Sequence, residues 1–262
     1  KAATEFARQG LGLEETLKRT NDALILTRLS GLGVEESTLA LTAAINSFTK
    51  SALDSTEVIN KLANVDARFA VSSADLAESI KRVGSTAEDT GVSFESLIAL
   101  TTAAQQVTSR GGSVIGNALK TIFQRLQRPD TLNLLEEFGV RVRDAAGESL
   151  AADKILLNLS SRFKDLSNSQ RQSVVQLAAG VFQANQFRAI LSDLSKGDLS
   201  AYKQALDIAN ESTSEAIKRN SELNKTLSSL INESLQNLTN LGAGIGDIAF
   251  FTAVTGDVYS AI

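Results

Sequence analysis

Glu-Ser dipeptides are the feature of this sequence that comes nearest to a catalytic pattern. Examples are Glu95-Ser96, Glu148-Ser149 and Glu233-Ser234. A lytic transglycosylase uses one glutamate in an apolar pocket as its general acid, and a serine often follows that glutamate. We expect Glu95 in the first turn of a helix and Glu233 on a long polar helix, both exposed to solvent. Because a dipeptide recurs by chance and no second feature converges on these residues, we expect the protein not to be an enzyme.

The residue types missing from the chain exclude most other catalytic centres. The 262 residues include no histidine and no cysteine. Histidine is the commonest general base and metal ligand, and cysteine supplies disulfides, thiolate ligands and a nucleophile. Zinc peptidases with histidine ligands, Ser-His-Asp hydrolases and Cys-His proteases are therefore excluded within this chain. We expect no cofactor and no metal.

One segment combines basic residues with a glycine-rich helix start, whose N–H groups are of the kind that binds anions. No acidic residue occurs between Glu95 and Asp130, and the cations in that interval are Arg110, Lys120, Arg125 and Arg128. The segment lacks the interleaved aromatic residues of nucleic-acid binders, and the net charge of −4 gives the chain no general attraction to nucleic acid. We therefore expect these cations to lie on a solvated face, with contact to an acidic protein surface as the alternative and no specific nucleic-acid recognition.

The stretch that carries these cations, residues 91–129, has the pattern of two amphipathic helices joined by a double glycine. Ser93 is placed to cap the first helix, with Val92 and Leu97 as an apolar pair across its first turn. Pro129, the only proline of the chain, stops the second helix. The stretch is therefore predicted to be a helical hairpin.

The glycines of this hairpin indicate how its helices pack. Gly111 and Gly112 free the chain to reverse, and we expect Ser113 to cap the second helix. Gly116 lies within that helix, where a glycine costs about 1 kcal/mol relative to alanine. A close crossing with another helix would offset that cost. We therefore expect Gly111, Gly112 and Gly116 to lie at a helix crossing.

Apolar residues three and four positions apart, acidic helix starts and a single proline predict an all-α fold. We expect a compact multi-helix domain of short helical hairpins over residues 1–212, followed by a long heptad-patterned helix over residues 213–262. One small β-hairpin is expected near residues 140–150, where the pattern alternates and a turn follows. The other helices are predicted near residues 2–10, 13–30, 35–50, 55–63, 73–83, 93–108, 114–127, 130–138, 151–166, 169–180, 181–195 and 198–211.

A narrow apolar stripe with heptad spacing marks the C-terminal region. Its members are Leu227, Ile231, Leu238, Leu241, Ile245 and Ile248. An isolated helix with such a stripe usually buries it against copies of itself, so we expect an oligomeric coiled coil, with three copies as the expected number. Packing of the stripe on the preceding domain is the alternative.

The last residues, 241–262, are rich in glycine and nearly uncharged. Asp247 and Asp257 leave an apolar run too short for a helix that crosses a bilayer, which needs about 20 residues. Small residues such as Gly242 and Gly246 allow close helix contacts. We expect a closely packed oligomer core here, with the approach to a membrane-active region as the alternative.

Several short segments occur together in a specific order. They are FARQG at residues 6–10, TAAINSF at 42–48, VSSADLA at 71–77, RVG at 82–84, GVSF at 91–94, GGS at 111–113, IGNALKTIF at 115–123, FGV at 138–140 and GVFQANQF at 180–187. Taken together they resemble the shared central region of the tail tape measure proteins of long-tailed bacteriophages and related tail-like particles. The resemblance covers about residues 1–195. Many members have Phe-Gly where this chain has Phe182-Gln183.

The resemblance implies a structural protein of the virion. A tape measure protein lies along the lumen of the tail tube, sets the tube length during assembly and is ejected to aid DNA passage through the host envelope. Because the chain starts at Lys1 and has no methionine, we expect a piece of a longer polypeptide, one that anchors the protein at the tail tip. The implied partners are further copies of the chain, tail-tip or hub proteins, tail tube proteins and, on ejection, the host membrane. The alternatives are a membrane-inserting, pore-forming segment and the peptidoglycan hydrolase region of a tail protein.

Overall fold

A computed structural model describes residues 2–245 of the chain, with the side chains of residues 2–236. The fold is all-α, as predicted: the described residues form thirteen α-helices and no β-strand. The helices are α1 (Ala2–Arg8), α2 (Leu13–Ser30), α3 (Val34–Ser47), α4 (Ser55–Asp66), α5 (Ser73–Asp89), α6 (Phe94–Thr108), α7 (Gly112–Leu126), α8 (Pro129–Glu137), α9 (Ala152–Arg162), α10 (Asn168–Ala178), α11 (Ala184–Leu194), α12 (Ala201–Asn210) and α13 (Glu215–Ile245).

The chain divides into two units, residues 1–216 and residues 217–262. The first unit holds α1 to α12 and the first two residues of α13. Its buried apolar side chains form one continuous core that extends from Ala2 to Ala216. The second unit contains the remainder of α13.

Helix α6 forms the centre of the first unit. Apart from Glu95, every residue from Phe94 to Ala104 is buried, and α5, α7, α11 and α12 pack around the helix. The expectation of an amphipathic helix here is wrong, because a helix that is apolar on all sides is buried on all sides. The hydroxyls of Thr101 and Thr102 donate to the carbonyls of residues four positions earlier, at 2.9 Å each, so they remain satisfied inside the core.

Tyr202 of α12 fixes the contact between α12 and α6. Its side chain is 2% exposed, and its hydroxyl lies 3.5 Å from Ser96 Oγ. Burial disfavours the charged phenolate and raises the pKa of Tyr202 to about 12. The tyrosine therefore remains neutral in the folded protein near neutral pH, and it serves as a packing residue.

Four aspartates each bind the first turn of another helix. Asp22 of α2 accepts from Ser55 Oγ (2.6 Å) at the start of α4, and Asp66 of α4 accepts from the Ser73 N–H (3.2 Å) at the start of α5. Asp75 of α5 accepts from the Gly112 N–H (2.9 Å), and Asp193 of α11 accepts from the Tyr202 N–H (2.9 Å). The first N–H groups of a helix have no partner within it, and a carboxylate also interacts favourably with the positive end of the helix dipole.

The cap of α7 therefore differs from the one expected from sequence. Ser113 lies inside the first turn, the N-cap residue is Gly111, and no side chain of α7 itself closes the turn. The acceptor comes from Asp75, whose other carboxylate oxygen accepts from Ser72 Oγ at 2.7 Å. A cap supplied from 37 residues away leaves no local pattern in the sequence.

Two glycines of α7 let it lie directly on α5. A Cβ on Gly112 would overlap the carbonyl oxygen of Asp75, and a Cβ on Gly116 would lie 2.9 Å from Ser79 Cα and 2.9 Å from Arg82 Cβ. At Gly111 a Cβ would meet only Asp75 Oδ1, at 3.6 Å, which is an ordinary contact. The closest approach of the two helices therefore depends on Gly112 and Gly116.

A third glycine, Gly84, has the same role on the other side of α5. A Cβ there would lie 2.8 Å from Ser47 Oγ at the end of α3. The predicted end of this helix, near residue 83, is therefore too early: α5 continues through Gly84 to Asp89. Glycine is a breaker on propensity alone, but here the contact that it allows with α3 keeps it within the helix.

The segment near residues 140–150 reverses direction but forms no strand. Its pairing consists of one antiparallel bridge between Arg143 and Ser149. Asp144 Oδ1 accepts from the N–H groups of Ala146 and Glu148, both at 2.9 Å, so these donors are satisfied within the turn. The small β-hairpin predicted here is therefore a turn closed by a single bridge.

We predict that Gly116→Ala destabilises the first unit by about 2 kcal/mol, because the added methyl group would press on the backbone of α5. Helix propensity alone predicts the opposite sign, a gain of about 1 kcal/mol. The measurement is the urea midpoint, with Gly111→Ala as the matched control. The control substitution should lower the free energy of unfolding by less than about 1 kcal/mol, the range for an alanine in place of a glycine at an N-cap. A Gly116→Ala protein at least as stable as the parent would contradict the close contact between α5 and α7 at Gly116.

Candidate interaction surface

The outer face of α7 carries Lys120, one of the cations singled out in the sequence, and Arg128 follows just beyond the end of the helix. Its inner face is fixed by Gly116 and by a row of buried apolar side chains, so the opposite face points to solvent. Lys120 and Gln124 are exposed on that outer face, and Arg128, four residues further on and two beyond the end of α7, is exposed as well. Within the described part of the chain, neither Lys120 nor Arg128 pairs with a carboxylate.

Arg125 has a different environment from the other three cations. Its Nη1 donates to the carbonyl oxygens of Gln176 and Leu177, both at 3.3 Å, at the end of α10. Its guanidinium also lies within 3.2 Å of the position that a Cβ on Gly180 would occupy. Cations bind favourably at helix C-termini, where carbonyl oxygens lack partners. Arg125 therefore ties α7 to α10, and the structure gives this side chain an internal role.

Arg110 is exposed but lies at the other end of the helix. It precedes α7, which has 15 residues and is therefore about 22 Å long. Lys120, Arg125 and Arg128 lie in the second half of α7 or just beyond it. The four cations thus do not form one compact patch.

Two adjacent apolar side chains project from the turn beside Arg125. Gly180, with φ of +68°, ends α10, and α11 begins only at Ala184. The predicted helix over residues 181–195 therefore starts too early, and Val181 and Phe182 belong to a turn. Val181 is 81% exposed and Phe182 is 91% exposed. Below them is a groove of about 370 Å³, lined on the α7 side by Thr121 and Arg125.

The sequence pattern did not indicate that Val181 and Phe182 are exposed. Val181 and Phe182 look like core positions when the segment is taken as a helix, since Phe187 and Ile190 nearby are fully buried. The signal that could have shown the difference is the glycine directly before them, because a left-handed glycine typically ends a helix.

The glutamate expected to be exposed in the first turn of α6 is instead largely buried. The Glu95 side chain is 16% exposed and lies 3.0 Å from Lys61 Nζ, which also contacts Glu57 at 3.2 Å and the Ala209 carbonyl at 2.8 Å. Glu95 thus lies against an ammonium group, not in the apolar pocket that a general acid requires. Glu233 is exposed, as expected, and Glu148 is exposed as well.

A cleft of about 300 Å³ opens beside Lys61, between α4 and the segment before α13. At its rim Asp54 pairs with Lys18 and caps α4 by accepting from the Thr56 N–H at 2.8 Å. Burial opposes ionisation of Asp54, but the hydrogen bonds from Lys18 and Thr56 outweigh it and lower the pKa of the carboxyl group. The charges around this cleft are therefore engaged in holding α4 in place.

The apolar stripe of α13 is exposed along the part whose side chains are described. Leu227 and Leu230 are 51% and 54% exposed, Leu223 is 41% exposed, and Ile231 is partly buried. For Leu238, Leu241 and Ile245 the structure describes only the helical backbone, and Ile248 lies outside the described residues. Among the described residues, no helix has the length and hydropathy needed to span a membrane.

We predict that Glu95→Gln lowers the free energy of unfolding by about 1–3 kcal/mol, because Lys61 loses one of its two carboxylate partners in a largely buried position. The exposed Glu148→Gln is the control and should change stability by less than about 0.5 kcal/mol. Chemical denaturation measures both. Digestion of cell walls by the parent protein, abolished in Glu95→Gln, would instead favour a hydrolase.

A comparison with known protein families assigns most of the chain to one family. The family model of the phage-related minor tail protein matches residues 1–180, which covers most of the first unit. No solved structure matches the chain. The family match indicates a structural role in a phage tail and therefore a place in the virion. It also favours a non-enzymatic protein. The chain belongs to the family of phage-related minor tail proteins.

Proposed function

We propose that this chain is part of a tail tape measure protein, which lies in the lumen of the tail tube, sets its length during assembly and is ejected to aid DNA passage through the host envelope. Membership of the minor tail protein family supports a place in the tail. The observation that carries the finer proposal is α13. It has 31 residues, against at most 18 in any other helix, and all ten residues from Ser221 to Leu230 are exposed.

A helix of this kind suits a ruler for a simple geometric reason. Each residue adds about 1.5 Å along the axis, so the number of residues converts linearly into distance. At this rise α13 spans about 46 Å. The first unit, by contrast, folds its residues onto one core, and insertions in its exposed turns would add no axial length.

We assign the anchoring role to the first unit. It has a continuous core and an exposed surface with unpaired cations on and just beyond α7, both suited to stable contacts with tail-tip, hub or tube proteins. The first unit thereby holds the protein at the tail tip, and on ejection the protein meets the host membrane.

Self-association follows from the stripe on α13. Leu227, Ile231, Leu238 and Leu241 are spaced by four, seven and three residues, as the heptad pattern requires. Leucine side chains on a solvent-exposed helix gain about 1.5–3 kcal/mol each when they become fully buried. We propose that three copies of α13 bury this stripe against one another.

We predict that tail length follows the length of α13. Insertion of eight heptads (about 56 residues) after Gln236, in register with the apolar pattern, should lengthen tails by about 84 Å. Electron microscopy of tails from the encoding phage gives the length distribution. The control places an insert of the same size in the exposed turn at Ala146, where tail length should not change. Tails that assemble at the parental length with the α13 insert would contradict the proposal.

We predict that the double variant Leu227→Lys/Ile231→Lys dissociates the oligomer, since a lysine cannot be buried in an apolar seam without a partner. Sedimentation equilibrium should give three chain masses for the parent and one for the variant. The control Ser229→Lys places a charge on the opposite face of α13, and this variant should sediment with the same three-chain mass as the parent. A parent chain that is monomeric, both in solution and in cross-linked intact tails, would refute the proposed trimer.

A further inference from the structure

The two longest acid-free segments of the chain pack against each other. Residues 96–129 and residues 166–192 contain no aspartate or glutamate. They hold most of α6 and all of α7 in the first case, and α10 with most of α11 in the second. Helix α7 contacts both α10 and α11, and α11 also contacts α6. Two segments that are far apart in sequence, neither of which contains a carboxylate side chain, therefore meet in one region of the fold.

The charge of this region is opposite to that of the rest of the chain. The two segments carry six cations, of which four are exposed and make no ion pair within the described residues: Arg110, Lys120, Arg128 and Arg188. All 30 acidic residues and the other 20 basic ones lie elsewhere in the chain. A locally basic surface on an acidic protein favours a partner surface that is acidic where it makes contact.

Val181 and Phe182 provide the apolar part of the same region. They stand next to each other at the rim of the groove that Thr121 and Arg125 line from α7. Single exposed apolar residues are common on protein surfaces, but an adjacent pair that is 81% and 91% exposed above a groove is typical of an interaction site. Aromatic side chains and arginines are the residue types enriched where partners bind most strongly.

The backbone around the pair is held in place from inside the fold. Arg125 bonds the carbonyls that end α10, and Gln186 and Phe187 anchor the start of α11 in the core. The turn between them is short, so Val181 and Phe182 cannot fold into the core without moving one of these helices. Because their turn is already fixed, Val181 and Phe182 lose little conformational freedom when a partner binds.

We propose that Val181, Phe182 and the exposed cations Lys120 and Arg128 form a docking site for another protein of the tail, one that presents an apolar pocket flanked by carboxylates. Phe182 fills the pocket, and the cations pair with the carboxylates around it. Nucleic acid fits this surface less well, because a phosphate backbone needs a denser array of cations and has no pocket for Phe182. The site requires only that the chain is a tail protein, so its failure would leave the tape measure proposal untouched.

The first experiment places a photo-cross-linking phenylalanine analogue at Phe182 in the full chain, within tails assembled by the encoding phage. The matched control carries the analogue at Leu199, which is 79% exposed and lies outside both acid-free segments. Mass spectrometry identifies the cross-linked peptides. We expect position 182 to cross-link at least tenfold more than position 199, to a carboxylate-rich segment of a different tail protein. A cross-link to a second copy of this chain, a cross-link to DNA, or a yield no higher than at Leu199 would each overturn the proposal.

The second experiment tests the charges. Lys120→Glu/Arg128→Glu should lower the cross-link yield from position 182 at least tenfold, whereas Lys164→Glu, an exposed cation outside the two segments, should leave it unchanged. If the double reversal prevents tail assembly, Lys120→Gln/Arg128→Gln replaces it, with an expected loss of at least threefold. All variants should retain the unfolding midpoint of the parent, since both cations are exposed. An unchanged yield in the double variant would contradict the role of the charges.

Discussion

The capping of one helix by a carboxylate from another holds the first unit together. A domain made of twelve short helices has many helix starts, and each start has N–H groups without a partner inside its own helix. Where such a start is buried among other helices, water cannot satisfy it. Asp66, Asp75 and Asp193 supply the acceptors at three of these starts, and each bond fixes the position of one helix relative to another.

The crossing of α5 and α7 shows how much depends on one such bond. Asp75 holds the first turn of α7 against α5, and Gly112 and Gly116 let the two backbones approach. That contact determines which face of α7 is buried. The opposite face then carries Lys120 into solvent, with Arg128 exposed just beyond the end of the helix, while Arg125 reaches the end of α10. The exposed basic surface is thus a consequence of internal packing, and the same packing presents Val181 and Phe182 beside it.

The existence and type of almost every helix could be predicted from sequence, because apolar spacing and capping residues are local signals. Ser93 caps α6 by accepting from the Ser96 N–H, as its position indicated. The errors occur where a distant contact overrides a local preference. Helix α5 continues through Gly84 because α3 packs there, and α6 is buried on all sides because four helices surround it.

By itself, the sequence determined the all-α fold, the lack of histidine and cysteine chemistry, and the region that carries unopposed cations. These follow from composition and spacing, which any segment retains wherever it lies in the fold. Only the tertiary structure decided that Arg125 bonds the end of α10, that Glu95 pairs with Lys61, and that Phe182 faces solvent. The physical reason is that burial and pairing depend on residues far apart in sequence, and only the packed chain brings those residues together.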